Sequence, residues 1–306
     1  MKRIALGLLL ATTFGSAHAM KLGDFLDAVS KLKQPAVSNS PQNDTAQTAD
    51  TNSNSQQQLL LTALQGSHVS DAQEDEIGRQ IAGNLLGAAP LVKNDALQRY
   101  VNMVGRWVSL QGERPNLAWH FGVIDTDDIN AFSAPGGYIF VTKGLYRTLQ
   151  NEAELAGVLG HEIGHVLKRH HLKLLQKSAQ VALIGQALGS AMAKQGDGDR
   201  TAAILQNLIG NGAEIVARSL DKDAEYEADR IGMVLTARAG YDPYALPAVL
   251  QEIGHASQLN QSQTALLFKT HPLPDDRLDH LSQAAGDRMD AYADGKSLDN
   301  RFIKLP

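Results

Sequence analysis

HEIGHVLKRHH, His161 to His171, places four histidines and one glutamate within eleven residues. Ten residues ahead of it, Asn151-x-x-Glu154 has the spacing of a capping box, which opens a helix and sets the stretch inside it. On that helix His161 and His165 project only ~40° apart and one turn along the axis, so both imidazoles can converge on one ion. Glu162 lies ~100° round from His161, beside such an ion rather than on it, where a base stands to take a proton from water. A Zn²⁺ held by three protein ligands keeps one position open and lowers the pKa of water there to about 7. The motif alone also fits a plain helix with two surface histidines. A third ligand with suitable companions is needed to decide between them.

His171 is the first candidate, because the metzincin pattern is His-Glu-x-x-His-x-x-Gly-x-x-His. The glycine that lets that chain turn back is Lys168 here. A helix that simply continued would carry His171 ~15 Å along the axis from His161, out of reach. Lys168, Arg169, His170, His171 and Lys173 then read as a solvated basic helix C-terminus, with both histidines as bystanders. The second candidate lies in DAEYEADRIG, where Glu225 and Asp229 stand four apart on one helix face. Glu225 would supply the third ligand, and Asp229 could accept a hydrogen bond from a ligating histidine and so fix its tautomer. Glu227 points elsewhere on that helix and lacks an acid four residues on.

Outward from this core, the 306-residue chain has room for one or two domains. Its formal charge of −5 argues against a nucleic-acid partner, which calls for a basic face. With no cysteine, the chain has no disulfide, thiolate metal site, Cys nucleophile or lipid-modified Cys. MKRIALGLLLATTFGSAHAM has the charged, apolar and small-x-small parts of an export signal, so residues 1–19 are expected to be removed. Leu22, Phe25, Leu26, Val29 and Leu32 share one helical face, which reads either as a membrane- or partner-touching helix or as a loose leader. The polar run 38–58 reads as a disordered tether within 20–69.

The folded unit is expected over 70–306. It opens with a capping box at Ser70-x-x-Gln73 and a helix to about Leu86, followed by a helix over about 95–110. LAWHFGVID (117–125) and YIFVT (138–142) are rich in aromatic and β-branched residues, as strands are. Residues 178–194 and 201–218 suggest a packed helical hairpin, with a lid or membrane-touching element as the other reading. The fold class is α+β and mainly helical, with a small sheet beside the helix of the two histidines.

HEIGH, then EYEAD, then AGYDP, resembles the gluzincin metalloendopeptidases related to HtpX and the CAAX prenyl proteases, and within them the soluble periplasmic branch. NAFSAPGGYIFVTKGL (130–145) and THP (270–272) followed by Arg277 match as well. The resemblance spans roughly Ser70 to Leu281 and implies a zincin-type domain with Zn²⁺ on His161, His165 and Glu225 and Glu162 as base. It also makes Asp229 the family's second acid, sometimes assigned as proton donor. It puts Lys222 where relatives often carry Arg, and leaves out the tetratricopeptide tail of some members. His271 is then a candidate oxyanion stabiliser, a latch on the metal's fourth position, or merely a cap on the next helix. Arg277 is a candidate for an ion pair behind the ligands. Gly137, Tyr138, Ile139 and Phe140 look like a turn into an edge strand to which an extended peptide could add.

The implied partners are unfolded or misassembled envelope and outer-membrane polypeptides in the periplasm, with peripheral membrane contact open. The rival from another class is a noncatalytic zinc-containing envelope chaperone or binding module. Against it, structural zinc sites are usually closed by four ligands, often Cys.

Overall fold

The structure, a computed structural model, describes residues 68–192, 220–259, 261–265 and 267–305. The expected export signal, the 21–33 segment, the 38–58 tether and the second arm of the expected hairpin lie outside the described residues. The long helices are α1 (Asp71–Ala88), α2 (Asp95–Ser109), α4 (Glu152–Leu167), α5 (His170–Met192), α6 (Lys222–Arg238), α7 (Ala245–Leu259) and α8 (Pro274–Ala285). A short helix, α3 (Lys143–Thr148), follows the sheet, whose strands are β1 (His120–Ile124), β2 (Ala131–Ala134) and β3 (Tyr138–Thr142). No helix among the described residues is long and apolar enough to cross a membrane.

Helix starts follow local chemistry. The Ser70 hydroxyl accepts from Gln73 N while Gln73 reaches back to Ser70 N, closing the capping box. Asn94, Asn151 and Asp221 cap α2, α4 and α6 through their side-chain oxygens. Every residue of α4 from Leu155 to Val166 is buried, so this helix is the axis of the domain. It packs on α2, α6, α7 and β2. The chain after α8 belongs to the same core: Phe302 stacks on Tyr146 at 5.1 Å, and the Tyr146 hydroxyl donates to Ile303 O. Glu152, fully buried at the start of α4, accepts from Tyr100 and Tyr241 at 3.0 and 2.8 Å.

The strand order is β1-β3-β2, with β3 parallel to β1 and antiparallel to β2. This overturns the edge assignment of Tyr138, Ile139 and Phe140. Both edges of β3 are paired, and four of its five residues are buried, as in a strand enclosed by its neighbours. Gly137 has a structural task instead. It and Gly136, at φ 99° and 79°, form the turn between β2 and β3 in a region that L side chains avoid. Helix α1 lies so close to that turn that a Cβ on Gly78 would sit 1.7 Å from Pro135 O. The edge strands are β1 and β2, and β2 is the one packed against α4. Its four residues, Ala-Phe-Ser-Ala, include two alanines with little β propensity, and give no clear strand signal.

A second correction concerns residues 168–171. The helix does not run on through them. Arg169 adopts φ 55° without being glycine, and α5 departs in a new direction from His170. Arg169 is held in that conformation by the fully buried Glu74 (3.0 Å), by Asp71 (2.7 Å) and by Val69 O (3.1 Å). Arg114 pairs with the same two carboxylates. The ion-pair cluster therefore does the work that glycine does in the metzincin turn. In consequence His170 and His171 are buried against the site rather than solvated.

Candidate active site

Helix α4 presents His161 and His165, and helix α6 crosses it at close range. The crossing is made by glycines: a Cβ on Gly232 would lie 2.7 Å from His161 N, and one on Gly164 would lie 3.1 Å from Ala228 Cα. The Asp221 cap starts α6 one turn ahead of Glu225 and so aims that carboxylate back at the histidines.

Sequence spacing and structure agree on the resulting constellation. The Nε2 atoms of His161 and His165 face each other at 3.0 Å. Glu225 brings Oε1 to 3.5 Å from His165 Nε2 and Oε2 to 3.7 Å from His161 Nε2. His271 joins them: its Nδ1 is 2.6 Å from Glu225 Oε2, and the four residues offer ligand atoms within 4.8 Å of one another. All four are buried. Glu225 Oε1 has no hydrogen-bond partner although it is fully buried, an arrangement that ordinarily costs a few kcal/mol. Two imidazole nitrogens in contact and an orphaned carboxylate oxygen at one point fit a cation, with the N/O donor set that zinc accepts.

The charges around this point keep the histidines available as ligands. Burial first, and the neighbouring imidazoles after it, hold His165 well below its ordinary pKa, so it is neutral. His161 Nδ1 lies 2.8 Å from Asp229 Oδ1, leaving Nε2 with its lone pair toward the site. Asp229 in turn is gripped by Arg277 through two contacts, at 2.9 and 2.5 Å. Burial alone would raise the Asp229 carboxyl. The Arg277 guanidinium and His161 outweigh it and hold the group below the usual carboxylate range. The Asp229 carboxylate is thus engaged on both sides, by Arg277 and by His161. The ion pair expected for Arg277 is the one with Asp229. Lys222 pairs with Asp276 at 2.7 Å on the surface, away from the ligands.

Burial pushes the Glu225 carboxyl up, but His271 beside it prevails and the net direction is down. The opposite holds for His271: burial pushes it down, Glu225 prevails, and it is raised. His271 does not cap the following helix, because the N-cap of α8 is Leu273 and lacks a side-chain hydrogen bond. Glu162, 2% exposed, lines two small cavities that meet at the site. One, of about 10 Å³, lies between Glu162, Glu225, His271 and β2, and has about the volume that one water needs. The other, of about 30 Å³, has Leu145, Val158, Leu246, Val249 and Ile253 on one side and His161, Glu162, His271 and Arg277 on the other.

Sequence reasoning missed two contacts. His170 Nδ1 is 2.9 Å from His165 Nδ1, and its Nε2 is 3.1 Å from Glu227. His171 Nδ1 lies 3.5 Å from Ser133 Oγ on β2. The helix break at Arg169 hid both, since nothing local in the sequence announces it.

Comparison with known proteins agrees with this geometry. Residues 94–285 match the family model described as Peptidase family M48. The chain is 36% identical over 219 residues to the beta-barrel assembly-enhancing protease of Escherichia coli (strain K12), covering 70% of this chain and 44% of that protein. Metalloprotease LoiP of the same organism is 27% identical over 235 residues, covering 75% of this chain and 85% of LoiP. The mitochondrial metalloendopeptidase OMA1 of Arabidopsis thaliana is 30% identical over 169 residues, covering 55% and 32%. The chain thus spans less than half the length of the assembly-enhancing protease it matches. The family match contains both histidines of α4, Glu225 and Asp229 of α6, His271 and Arg277, and the chain belongs to peptidase family M48.

Proposed function

We propose that this protein is a zinc-dependent metalloendopeptidase of the cell envelope that hydrolyses peptide bonds in unfolded or misassembled polypeptides. The observation that carries the reading is the meeting of two imidazole Nε2 atoms and an unpartnered Glu225 oxygen, with Glu162 beside them. His161, His165 and Glu225 would hold the ion. When bound, it would polarise the scissile carbonyl and acidify water. Glu162 takes a proton from the attacking water, whose oxygen bonds to the carbonyl carbon. As the C–N bond breaks, Glu162 returns that proton to the leaving nitrogen. Asp229 and Arg277 keep His161 in the tautomer that leaves Nε2 free.

His271 stands within the donor set in this closed arrangement, which favours the latch among its three readings. A peptide would have to displace it, since Glu162 and all of β2 are buried. With β3 central, the extended substrate belongs along β2, the edge strand over Glu162. Pairing through main-chain hydrogen bonds asks little of sequence and suits unfolded clients. Outer-membrane polypeptides as clients and a periplasmic setting rest on the resemblance to the assembly-enhancing protease and on the export-type N-terminus. Peripheral membrane contact rests on the apolar residues Leu22, Phe25, Leu26, Val29 and Leu32 of the sequence.

The deciding experiment is Glu162→Gln in a casein digest with metal content measured in parallel. Chelator-sensitive cleavage that disappears while metal is retained supports a peptidase. Cleavage that persists with metal retained removes Glu162 as the base, and a wild-type chain that binds metal and clients without cutting them overturns the peptidase reading in favour of a holdase.

A further inference from the structure

His170 and Glu227 have no task in the reaction above, yet they form a chain of contacts ending on a ligand. His165 Nδ1 meets His170 Nδ1 at 2.9 Å, and His170 Nε2 meets Glu227 Oε2 at 3.1 Å. His170 is 5% exposed, whereas the Glu227 side chain is 41% exposed at the rim. Two Nδ1 atoms at 2.9 Å need one proton between them. If His165 is to offer the Nε2 lone pair to an ion while neutral, its proton sits on Nδ1 and is donated to His170. His170 must then accept on Nδ1 and, being neutral, carry its own proton on Nε2. A carboxylate is a pure acceptor, and Glu227 stands where that Nε2–H points. With both rings neutral, this assignment satisfies both contacts of His170, and it runs from the rim to the ligand while leaving the Nε2 atoms of His165 and His161 to share an ion.

We propose that Glu227 and His170 are positioning residues that set the tautomer and ring orientation of His165 through the contacts Glu227–His170–His165. The proposal rests on the metallopeptidase reading for its purpose, but not for its geometry. It gives the two ligating histidines parallel supports: a carboxylate directly for His161, and a carboxylate acting through a second imidazole for His165. It also gives the helix break at Arg169 a purpose, because only the turn there returns His170 to His165. The acids 225, 227 and 229 of α6 then serve as ligand, remote support of His165 and direct support of His161.

The test uses the full chain. His170→Phe keeps bulk and removes the acceptor, His170→Gln restores an acceptor, and Glu227→Ala removes the outer anchor at a half-exposed position. Zinc affinity is measured by competition with a chromophoric chelator, and melting of the metal-free protein serves as the control for packing. The expected result is a loss of about 10–100-fold for His170→Phe, in the range found when such supporting partners are removed. A smaller loss is expected for Glu227→Ala and substantial recovery for His170→Gln, with little change in metal-free melting for Glu227→Ala. Wild-type affinity in both His170→Phe and Glu227→Ala overturns the proposal. Should His170→Phe not fold, Glu227→Ala alone decides. The tautomers are read directly by ¹⁵N NMR of histidine-labelled protein. Thus a wild-type chain that took up no metal would defeat the metallopeptidase reading, while the site of the proton on His170, Nε2 or Nδ1, would still decide this one.

Discussion

Replacing Gly232 with alanine adds one methyl group at the place where α6 crosses α4. That Cβ would lie 2.7 Å from His161 N, 3.0 Å from His161 Cα and 3.1 Å from Gly160 C. All three neighbours are backbone, so no side chain can swing aside. Carbon contacts settle near ~3.5–4.0 Å, so the two helices must part by roughly 0.5–1 Å. Overpacking of this kind costs about 1–3 kcal/mol. The better helix propensity of alanine returns about 1 kcal/mol, leaving a net loss of about 0–2 kcal/mol. The larger effect falls on the site, because the parting separates His161 and His165 from Glu225. Metal sites tolerate only about ±0.2 Å in ligand distances. Zinc affinity is therefore expected to fall at least about tenfold, at ~1.4 kcal/mol per factor of ten, while the metal-free fold persists. Gly83→Ala is the matched control, since no atom outside its own helix turn and chain neighbours lies within 4 Å of the new methyl. It should stabilise α1 by up to about 1 kcal/mol and leave zinc affinity alone. Urea melts of the metal-free chains and chelator competition measure both quantities. A Gly232→Ala variant that binds zinc as tightly as wild type would refute the claim that glycine contact sets the ligand spacing.

Three further outcomes follow from the same contacts. Asp229→Ala leaves the Arg277 guanidinium buried without its carboxylate, and urea melts should show a loss of about 3–5 kcal/mol; a loss below 1 kcal/mol would contradict the role given to this pair. Tyr100, Tyr146 and Tyr241 are raised above the ordinary tyrosine value, by burial first and by the Glu152 carboxylate near them. Above about pH 10 the unfolded chain loses those protons while the folded one keeps them, so stability is full below pH 10 and should fall as pH rises further; denaturant melts at pH 8 and pH 10.5 compare the two. His271→Ala should raise peptide hydrolysis if the imidazole blocks the site as a latch, whereas lost activity with zinc retained would assign it to the oxyanion instead.

Residues whose relative placement is fixed within one helix were legible from spacing alone. His161, Glu162 and His165 follow from helical geometry, and Glu225 with Asp229 follows because a ligand and a support four residues apart share a face. The helix caps at Ser70 and Asn151 and the helices they open were legible for the same local reason, although only Ser70 and Gln73 close a reciprocal box. What escaped depends on partners distant in sequence. Glu74, a full helix and sheet away, pulls Arg169 into a left-handed turn, and no residue between 161 and 171 carries a sign of it. The helix break that follows makes His170 a buried neighbour of His165 instead of a solvated end residue. Strand order is likewise set by which neighbours arrive: YIFVT reads the same at an edge or in the middle, and the short Ala131–Ala134 strand supplies the missing pairing. Both errors have one physical root. A helical or extended pattern fixes which side chains share a face, but the hydrogen bonds and ion pairs that decide what the face meets come from elsewhere in the chain. In this protein they come from α1 for the turn and from β2 for the sheet, and the two meet at the site through Ser133 and His171.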